Sequence, residues 1–205
     1  MRLVCIADTH GLHNSMPKIP DGDVLVVAGD MTAHGDLYGV REFDDFLGRL
    51  PHPHKIVVAG NHDWYFESHP GQPEFMNAIY LQNNYITING VKFYGSPYQP
   101  EFCDWAFNLR RGLPLAAQWA QIPDDTDVLI THGPPAGILD RTMDGQNVGC
   151  EDLLHRVREI KPKVHVFGHI HCAHGAVVKD EITFVNAAIC TESYLPKQRP
   201  IRVTI

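Results

Sequence analysis

The chain has 205 residues, 44% hydrophobic and 20% charged, with a formal net charge of −7, a balance that excludes a disordered or fibrous chain and fits a globular one. No apolar run approaches the ~20 residues that span a bilayer, and MRLVCIADTHG at the N-terminus lacks a signal-peptide layout, so the expected compartment is the cytoplasm and no membrane partner is expected. The acidic balance without a basic stripe argues against long nucleic acid as a partner, and five scattered cysteines with no CxxC pair argue against a zinc ribbon or a disulfide framework.

The first apolar run, LVCIA at 3–7, leads into Asp8-Thr9-His10. The second, VLVVAG at 24–29, leads into Asp30. A helix is expected near 37–50, where Val40, Phe43, Phe46, Leu47 and Leu50 share one face. KIVVAG at 55–60 then leads into Asn61-His62-Asp63. YITINGVKFYG at 85–95 reads as a hairpin around Asn89-Gly90. The stretch 96–112 is rich in proline and aromatics without a period, and is expected to be a long loop near the site. VLIT at 128–131 leads into His132. A second helix is expected near 149–161, opening with Glu151 and Asp152 and closing with Arg158 and Lys161 before Pro162. VHVFG at 164–168 leads into His169-Ile170-His171, a strand–turn–strand pattern covers 176–189, and IRVTI is a final strand.

The near-continuous apolarity of the five runs suits strands buried on both faces. Helices alternating with those strands, plus hairpins, predict an α/β fold of two stacked mixed sheets flanked by helices, in one domain over 1–205. Each run ends in metal-ligand residues, and in open α/β sheets sites collect beyond the carboxyl ends of strands. A lone Asp-x-His or Gly-Asp is mostly chance; five such endings in register point to one site. Gly29, Gly60, Gly133 and Gly168 flank the blocks, where tight turns or close backbone approach are needed, although for any single one an ordinary strand-end turn is the better reading. Mixed carboxylate and imidazole ligands suit Mn, Fe, Zn or Co. Asp8, His10, Asp30, Asn61, His132, His169 and His171 are more ligands than one ion needs, so two divalent ions about 3.5–4 Å apart are expected.

The blocks DTH at 8–10, GD at 29–30, GNHD at 60–63, THG at 131–133 and GHIH at 168–171 resemble, in order and spacing, those of the calcineurin-like metallophosphoesterase superfamily across nearly the whole chain. GSPYQPEFCDWAFNLRRG, THGPPAGILD, VGCEDLL and PKVHVFGHIH resemble its metallophosphoesterase domain-containing, brain-type branch and bacterial relatives. The resemblance implies a four-layer sandwich and a dinuclear phosphoesterase. Asp8, His10, Asp30 and His171 would hold one ion, and Asp30, Asn61, His132 and His169 the other, with Asp30 bridging. Some animal members carry Gly at the position of His169, whereas this chain keeps the imidazole. Formal counting leaves such a site about +2, attractive to phosphate, and the implied step is in-line attack by a hydroxide between the ions. His62 would face the leaving group as acid or hydrogen-bond donor, with Asn61 also touching substrate. Asp63 would orient His62; its alternative reading is a carboxylate that caps the turn.

Departures narrow the substrate. GDMTAHG and AGNHD lack the arginines of protein phosphatases, and Ala33 stands where purple acid phosphatases carry a ligand tyrosine. The expected substrate is a small phosphodiester, cyclic nucleotides included, because a dianionic monoester favours an Arg fork and no arginine lies inside the blocks. Arg110, Arg111 and Arg141 are the arginines that loops would bring to the site. Alternatives are a small-molecule phosphomonoesterase, a one-metal hydrolase and a non-catalytic scaffold. Tyr98, Trp105 and Phe107 are candidates for stacking on a base or for packing a loop, and His13 and His34 for touching phosphate or lying on the surface. The oligomeric state stays open.

Overall fold

The β-branched runs form short strands whose residues alternate between two apolar layers. In the computed structural model, which describes residues 1–70 and 75–205, the chain begins with β1 (Arg2–Ile6), β2 (Val24–Ala28), α1 (Leu37–Gly48), β3 (His54–Val58), α2 (Trp64–Ser68) and β4 (Ile79–Tyr80). It continues with β5 (Asn84–Ile88), β6 (Val91–Ser96), β7 (Gln99–Pro100), β8 (Asn108–Leu109), α3 (Leu113–Trp119) and β9 (Val128–Thr131). The last elements are α4 (Glu151–Ile160), β10 (Val164–Phe167), a 3₁₀ turn (His171–Ala173), β11 (Gly175–Lys179), β12 (Ile182–Asn186) and β13 (Ile201–Thr204).

One sheet has the order β13-β1-β2-β3-β4 and the other β11-β12-β10-β9-β6-β5. Strands β1 to β4 run parallel, with β13 antiparallel on the edge beside β1. In the second sheet β12, β10, β9 and β6 are parallel, and β11 and β5 close the two edges as antiparallel hairpins. Both hairpin turns have two residues at positive φ, Asn89-Gly90 and Asp180-Glu181, the backbone that matches strand twist.

The alternation explains the layering. Leu3, Cys5, Val24, Val26, Ile56 and Val58 face Phe93, Val128, Ile130, Val164, Val166 and Val185 across the sheet–sheet interface. Their neighbours Val4, Ile6, Leu25, Val27 and Val57 turn outward to meet Val40, Phe43, Phe46 and Leu47 of α1. Leu129, Phe167 and Phe184 face away on the other side, against Leu115, Trp119, Leu153 and Val157 of α3 and α4. The result is helix, sheet, sheet, helix, as the sequence pattern predicts.

The helices have local reasons to start. Asp36 accepts from Gly39 N at 2.7 Å to cap α1. Glu151 and Asp152 open α4, Arg158 lies in its last turn, and Lys161 ends it at φ 47° before Pro162. The expectation of one long loop over 96–112 needs correction. Gln99 and Asn108 bring β7 and β8 together in a small parallel ladder, and Asn108 Nδ2 donates to the carbonyls of Phe102 and Cys103 at 3.1 and 3.0 Å. A side-chain amide thus orders a segment that shows no period. No helix among the described residues is long and apolar enough to cross a membrane.

Candidate metal centre

Strands β1, β2 and β3 end at the same edge of the molecule as β9 and β10 of the second sheet. The two sheets are tied there by the segment after β12: Ala187 O accepts from Ala7 N at 2.9 Å, and Ile189 N donates to Ala7 O at 2.8 Å. The strand-end turns are tight. Asp8, His10, Asp30 and His169 have φ of 51°, 44°, 52° and 68°, a left-handed backbone unusual for such residues and costly enough to cluster at functional sites. Backbone bonds hold the turns, with Asp8 N donating to Gly29 O and His10 N to Asp30 O, both at 2.9 Å.

These turns converge buried side chains. His10 Nε2 and His171 Nε2 lie 3.2 Å apart, with Asp8 Oδ1 3.4 Å from His171 Nε2. Asp30 Oδ2 lies 3.4 Å from His132 Nε2 and 3.9 Å from His10 Nε2. His132 Nε2 also meets Asn61 Oδ1 at 2.8 Å. Two glycines allow the approach: a Cβ at Gly168 would collide with Asp8 Oδ2, and one at Gly60 with Asp30 Oδ1.

The donor set fits divalent cations. His132 Nδ1 faces Ala28 O at 3.0 Å and His171 Nδ1 faces Thr191 O at 3.1 Å. A carbonyl only accepts, so each Nδ1 carries the proton and each Nε2 offers a lone pair inward, the arrangement of a metal-ligating imidazole. Among the described residues, three sets of ligand atoms lie within 4.8 Å of one another: Asp8 with His10 and His171, His10 with Asp30 and His62, and Asp8 with Asp30 and His132.

The electrostatics run the same way. Burial pushes the Asp30 carboxyl up, but the His132 ring, followed by His10 and His62, outweighs burial and holds it well below the carboxylate range. Burial likewise opposes the lowering of Asp8, which the His171 hydrogen bond and charge achieve. Burial disfavours charge on His132 and His171, yet Asp30 lifts the first and Asp8 the second, each to about 9. Burial brings His10 and His169 down to about 4. The carboxylates therefore draw positive charge to their facing rings, a demand that protons or a bound cation can meet.

The sequence-predicted residues do not all converge equally. His169 joins none of the three ligand-atom sets. Its backbone N–H donates to Asp8 Oδ1 and Oδ2 at 3.1 and 2.9 Å, and its ring stands 5.0 Å from that of His132. His62 does join a set, with His10 and Asp30.

The expectation that Asp63 orients His62 is corrected. The Asp63 carboxylate accepts from Gly60 N at 2.8 Å, Thr32 N at 3.0 Å and Thr32 Oγ1 at 2.7 Å. These are backbone and hydroxyl donors of two neighbouring turns, so Asp63 caps the turn that carries His62. The His62 ring has other neighbours: Ala33 O lies 3.4 Å from Nδ1, and Trp105 stacks on it at 4.3 Å.

His13 and His34 do not reach the site. His13 is buried against Phe43 and Phe46, and His34 is exposed and absent from the cavity lining. Of the three candidate stacking aromatics, Phe107 is buried with Tyr98 edge-on at 5.8 Å, and Trp105 alone lines the cavity. That cavity, about 600 Å³, is also lined by Phe102, Arg111 and Tyr194 beside the converging side chains. Arg111 is tied down, donating from Nη1 to Gly149 O at 2.7 Å and from Nη2 to Val148 O at 2.6 Å.

Sequence reasoning passed over several supporting residues. Buried Asn186 donates to Ile170 O at 2.9 Å and Gly168 O at 3.4 Å. Gln198 Nε2 reaches the carbonyls of His171, Ala188 and Cys190 at 3.0, 3.0 and 2.9 Å. Tyr194 sets its ring 4.8 Å from His10 and 5.5 Å from His171. Their one faint signal is an aromatic residue in the proline-bounded stretch TESYLPKQRP at 191–200.

The chain is similar to known proteins. The family model described as calcineurin-like phosphoesterase matches residues 1–173. Metallophosphoesterase domain-containing protein 1 of Homo sapiens is 42% identical over 233 residues, covering 100% of this chain and 71% of that protein. UPF0046 protein T07D4.2 of Caenorhabditis elegans is 38% identical over 233 residues, covering 98% and 59%. Among solved structures, phosphopantetheinyl hydrolase from Mycobacterium tuberculosis superposes with a TM-score of 0.58 at 18% identity, covering 94% of this chain and 90% of that one, a likeness of fold alone.

Proposed function

Because the chain belongs to the calcineurin-like phosphoesterase family, whose members support metal-dependent hydrolysis of phosphate esters, we propose that it hydrolyses small phosphodiesters with two divalent ions bound where β1, β2, β3, β9 and β10 end. Asp8, His10, Asp30 and His171 are the ligands of one ion in this reading. Asp30, Asn61, His132 and His169 are those of the other, the His169 ring turning in from its present place beside His132. Mn is the first choice of metal, with Fe, Zn and Co compatible with the same donors. The observation that carries the reading is the position of Asp30. It belongs both to the set with His10 and His62 and to the set with Asp8 and His132, as a bridging carboxylate would.

When bound, a divalent pair polarises phosphoryl oxygens and lowers the pKa of a water molecule to near neutrality. The chain's residues do the rest. Nδ1–H bonds to Ala28 and Thr191 fix the inward faces of His132 and His171. Asn61 and His62 contact the ester, and His62 supplies a proton or hydrogen bond to the departing oxygen. Its backbone N–H, donating to Asp30 Oδ1 at 2.8 Å, ties this turn to the shared carboxylate.

Diesters are favoured over monoesters by the state of Arg111. Among the described residues it is the arginine that lines the cavity, and one N–H of each terminal nitrogen already goes to a carbonyl, which holds the guanidinium to the 148–149 backbone and weakens it as a fork for a dianion. A cavity of about 600 Å³ suits a compact ester. The test is hydrolysis of bis(p-nitrophenyl) phosphate beside p-nitrophenyl phosphate in protein loaded with Mn²⁺, with metal counted per chain. Two ions and a higher kcat/KM for the diester support the reading. One ion per chain, or preference for the monoester, sends it to the alternatives of a one-metal hydrolase or a small-molecule phosphomonoesterase.

A further inference from the structure

Among the described residues no carboxylate hydrogen-bonds the His62 ring, the task that ordinarily holds a working imidazole, and the Asp63 carboxylate is taken up by Gly60 and Thr32. Its Nδ1 has a long contact to Ala33 O at 3.4 Å, too weak by itself to fix the ring plane. Ring contacts close the slot instead. The Trp105 indole lies over the imidazole at 4.3 Å with 29° between the planes, and the His10 ring meets it edge-on at 4.5 Å and 80°.

Trp105 is itself held by a rigid frame. Gln99 N donates to Phe107 O at 3.1 Å, and Glu101 N donates to Leu109 O at 2.8 Å, across the β7–β8 ladder. Phe107 N donates to Glu67 Oε1 of α2 at 2.7 Å. Next to Trp105, Ala106 N donates to the carbonyl of Asn61, the residue before His62, at 3.3 Å. The indole and the imidazole are thus fixed to the same turn from two sides.

We infer that Trp105 is the positioning residue of His62: its indole face sets the imidazole plane, the task a carboxylate performs elsewhere. With Nδ1–H directed at Ala33 O, the stack leaves Nε2 for the cavity, which His62 lines. The inference rests on the proposed role of His62 in ester cleavage. A flat face restricts tilt without adding charge, so Trp105 acts on geometry and leaves the metal ligands alone.

The experiment is a double-mutant cycle on Mn²⁺-loaded protein with bis(p-nitrophenyl) phosphate, joined to NMR of the His62 ring protons in zinc-loaded protein. Trp105→Ala is expected to lower kcat roughly tenfold to a hundredfold, the scale of a misplaced reacting group, with KM within about twofold and metal content unchanged. Trp105→Phe is expected to restore most of kcat. In a His62→Ala background, Trp105→Ala is expected to cost almost nothing further. The His62 ring protons, identified by their loss in His62→Ala, are expected upfield under the indole ring current and to move downfield in Trp105→Ala. A full cost of Trp105→Ala in the His62→Ala background, or a raised KM at constant kcat, would overturn the inference and make Trp105 a substrate contact. Unmoved His62 resonances would overturn it as well. Unchanged kcat in His62→Ala alone would instead overturn the role proposed for His62, a separate failure that the single variant reveals.

Discussion

His10 and His171 turn their Nε2 atoms toward each other across 3.2 Å, beside an Asp8 oxygen 3.4 Å from the second ring. At that separation a proton or a cation must lie between the two nitrogens, and the Asp8 carboxylate beside them favours either positive charge. Metal binding is therefore expected to stabilise the fold. At about 100-fold excess over Kd, linkage gives ~2.7 kcal/mol, or a rise in Tm of roughly 5–10 °C for a chain of this size. Thermal unfolding with Mn²⁺ and with EDTA measures it, and equal Tm values would contradict cation binding at this pair.

Asp30 is shared by two ligand-atom sets, so one substitution should disturb both. Asp30→Asn keeps the shape and removes the charge. Changes to residues that merely support ligands cost about 10–100-fold in metal affinity or activity, so loss of this carboxylate is expected to cost on the order of 100-fold or more. Metal analysis should show both ions depleted. Depletion of one alone would deny the bridging role.

Gly168 lies against Asp8 and Ala7, where an added Cβ would stand 2.6 Å from Ala7 Cβ and collide with Asp8 Oδ2. Gly168→Ala must push apart the two sheets or displace the carboxylate. The expected cost is ~1–3 kcal/mol of stability together with weaker metal retention. Urea unfolding and metal content give the two readings; a wild-type result in both would show that the turn yields freely.

His165 of β10 is buried, and its Nε2 meets Thr131 Oγ1 at 2.8 Å. That hydroxyl donates its one proton to Gly133 O at 2.8 Å, so His165 donates from Nε2 and its buried Nδ1 has no partner among the described residues. Burial pushes the ring down to about 3. An unfolded His takes up a proton below about pH 6.5, while the folded one stays neutral to about 3. Its contribution is complete above pH 6.5 and is lost as pH falls toward 3. His165→Gln is expected to shift the acid-unfolding midpoint to lower pH, read by circular dichroism; a shift to higher pH would reverse the assignment.

The family and the layered fold were legible because their signals are periodic and local. Alternating apolar residues such as Leu3, Val4, Cys5 and Ile6 divide between two layers, and each of the five apolar runs leads into ligand-type residues. What stayed hidden depends on contacts between distant segments. Nothing around Asn186 or Gln198 announces an amide that gathers carbonyls from the turn at 168–171. The role of Asp63 was misjudged because adjacency in sequence suggests contact, whereas the turn directs its carboxylate back toward Thr32. The ladder of β7 and β8 was read as loop because a strand of two residues is too short to show alternation.

The distance along the chain between Asp8 and His169, 161 residues, has a consequence for synthesis. A ribosome adding about 5–20 residues per second delivers Asp8 and Asp30 roughly 8–30 seconds before His169 and His171, which follow β10. During that interval the two carboxylates lack the imidazoles that later face them, and β1 lacks β13, its partner on the open edge. The nascent chain thus presents an unpaired strand edge beside acidic turns until β13 is made. Charge beside an open edge discourages another chain from docking there, so Asp8, at the end of β1, opposes such docking while the edge waits for its partner.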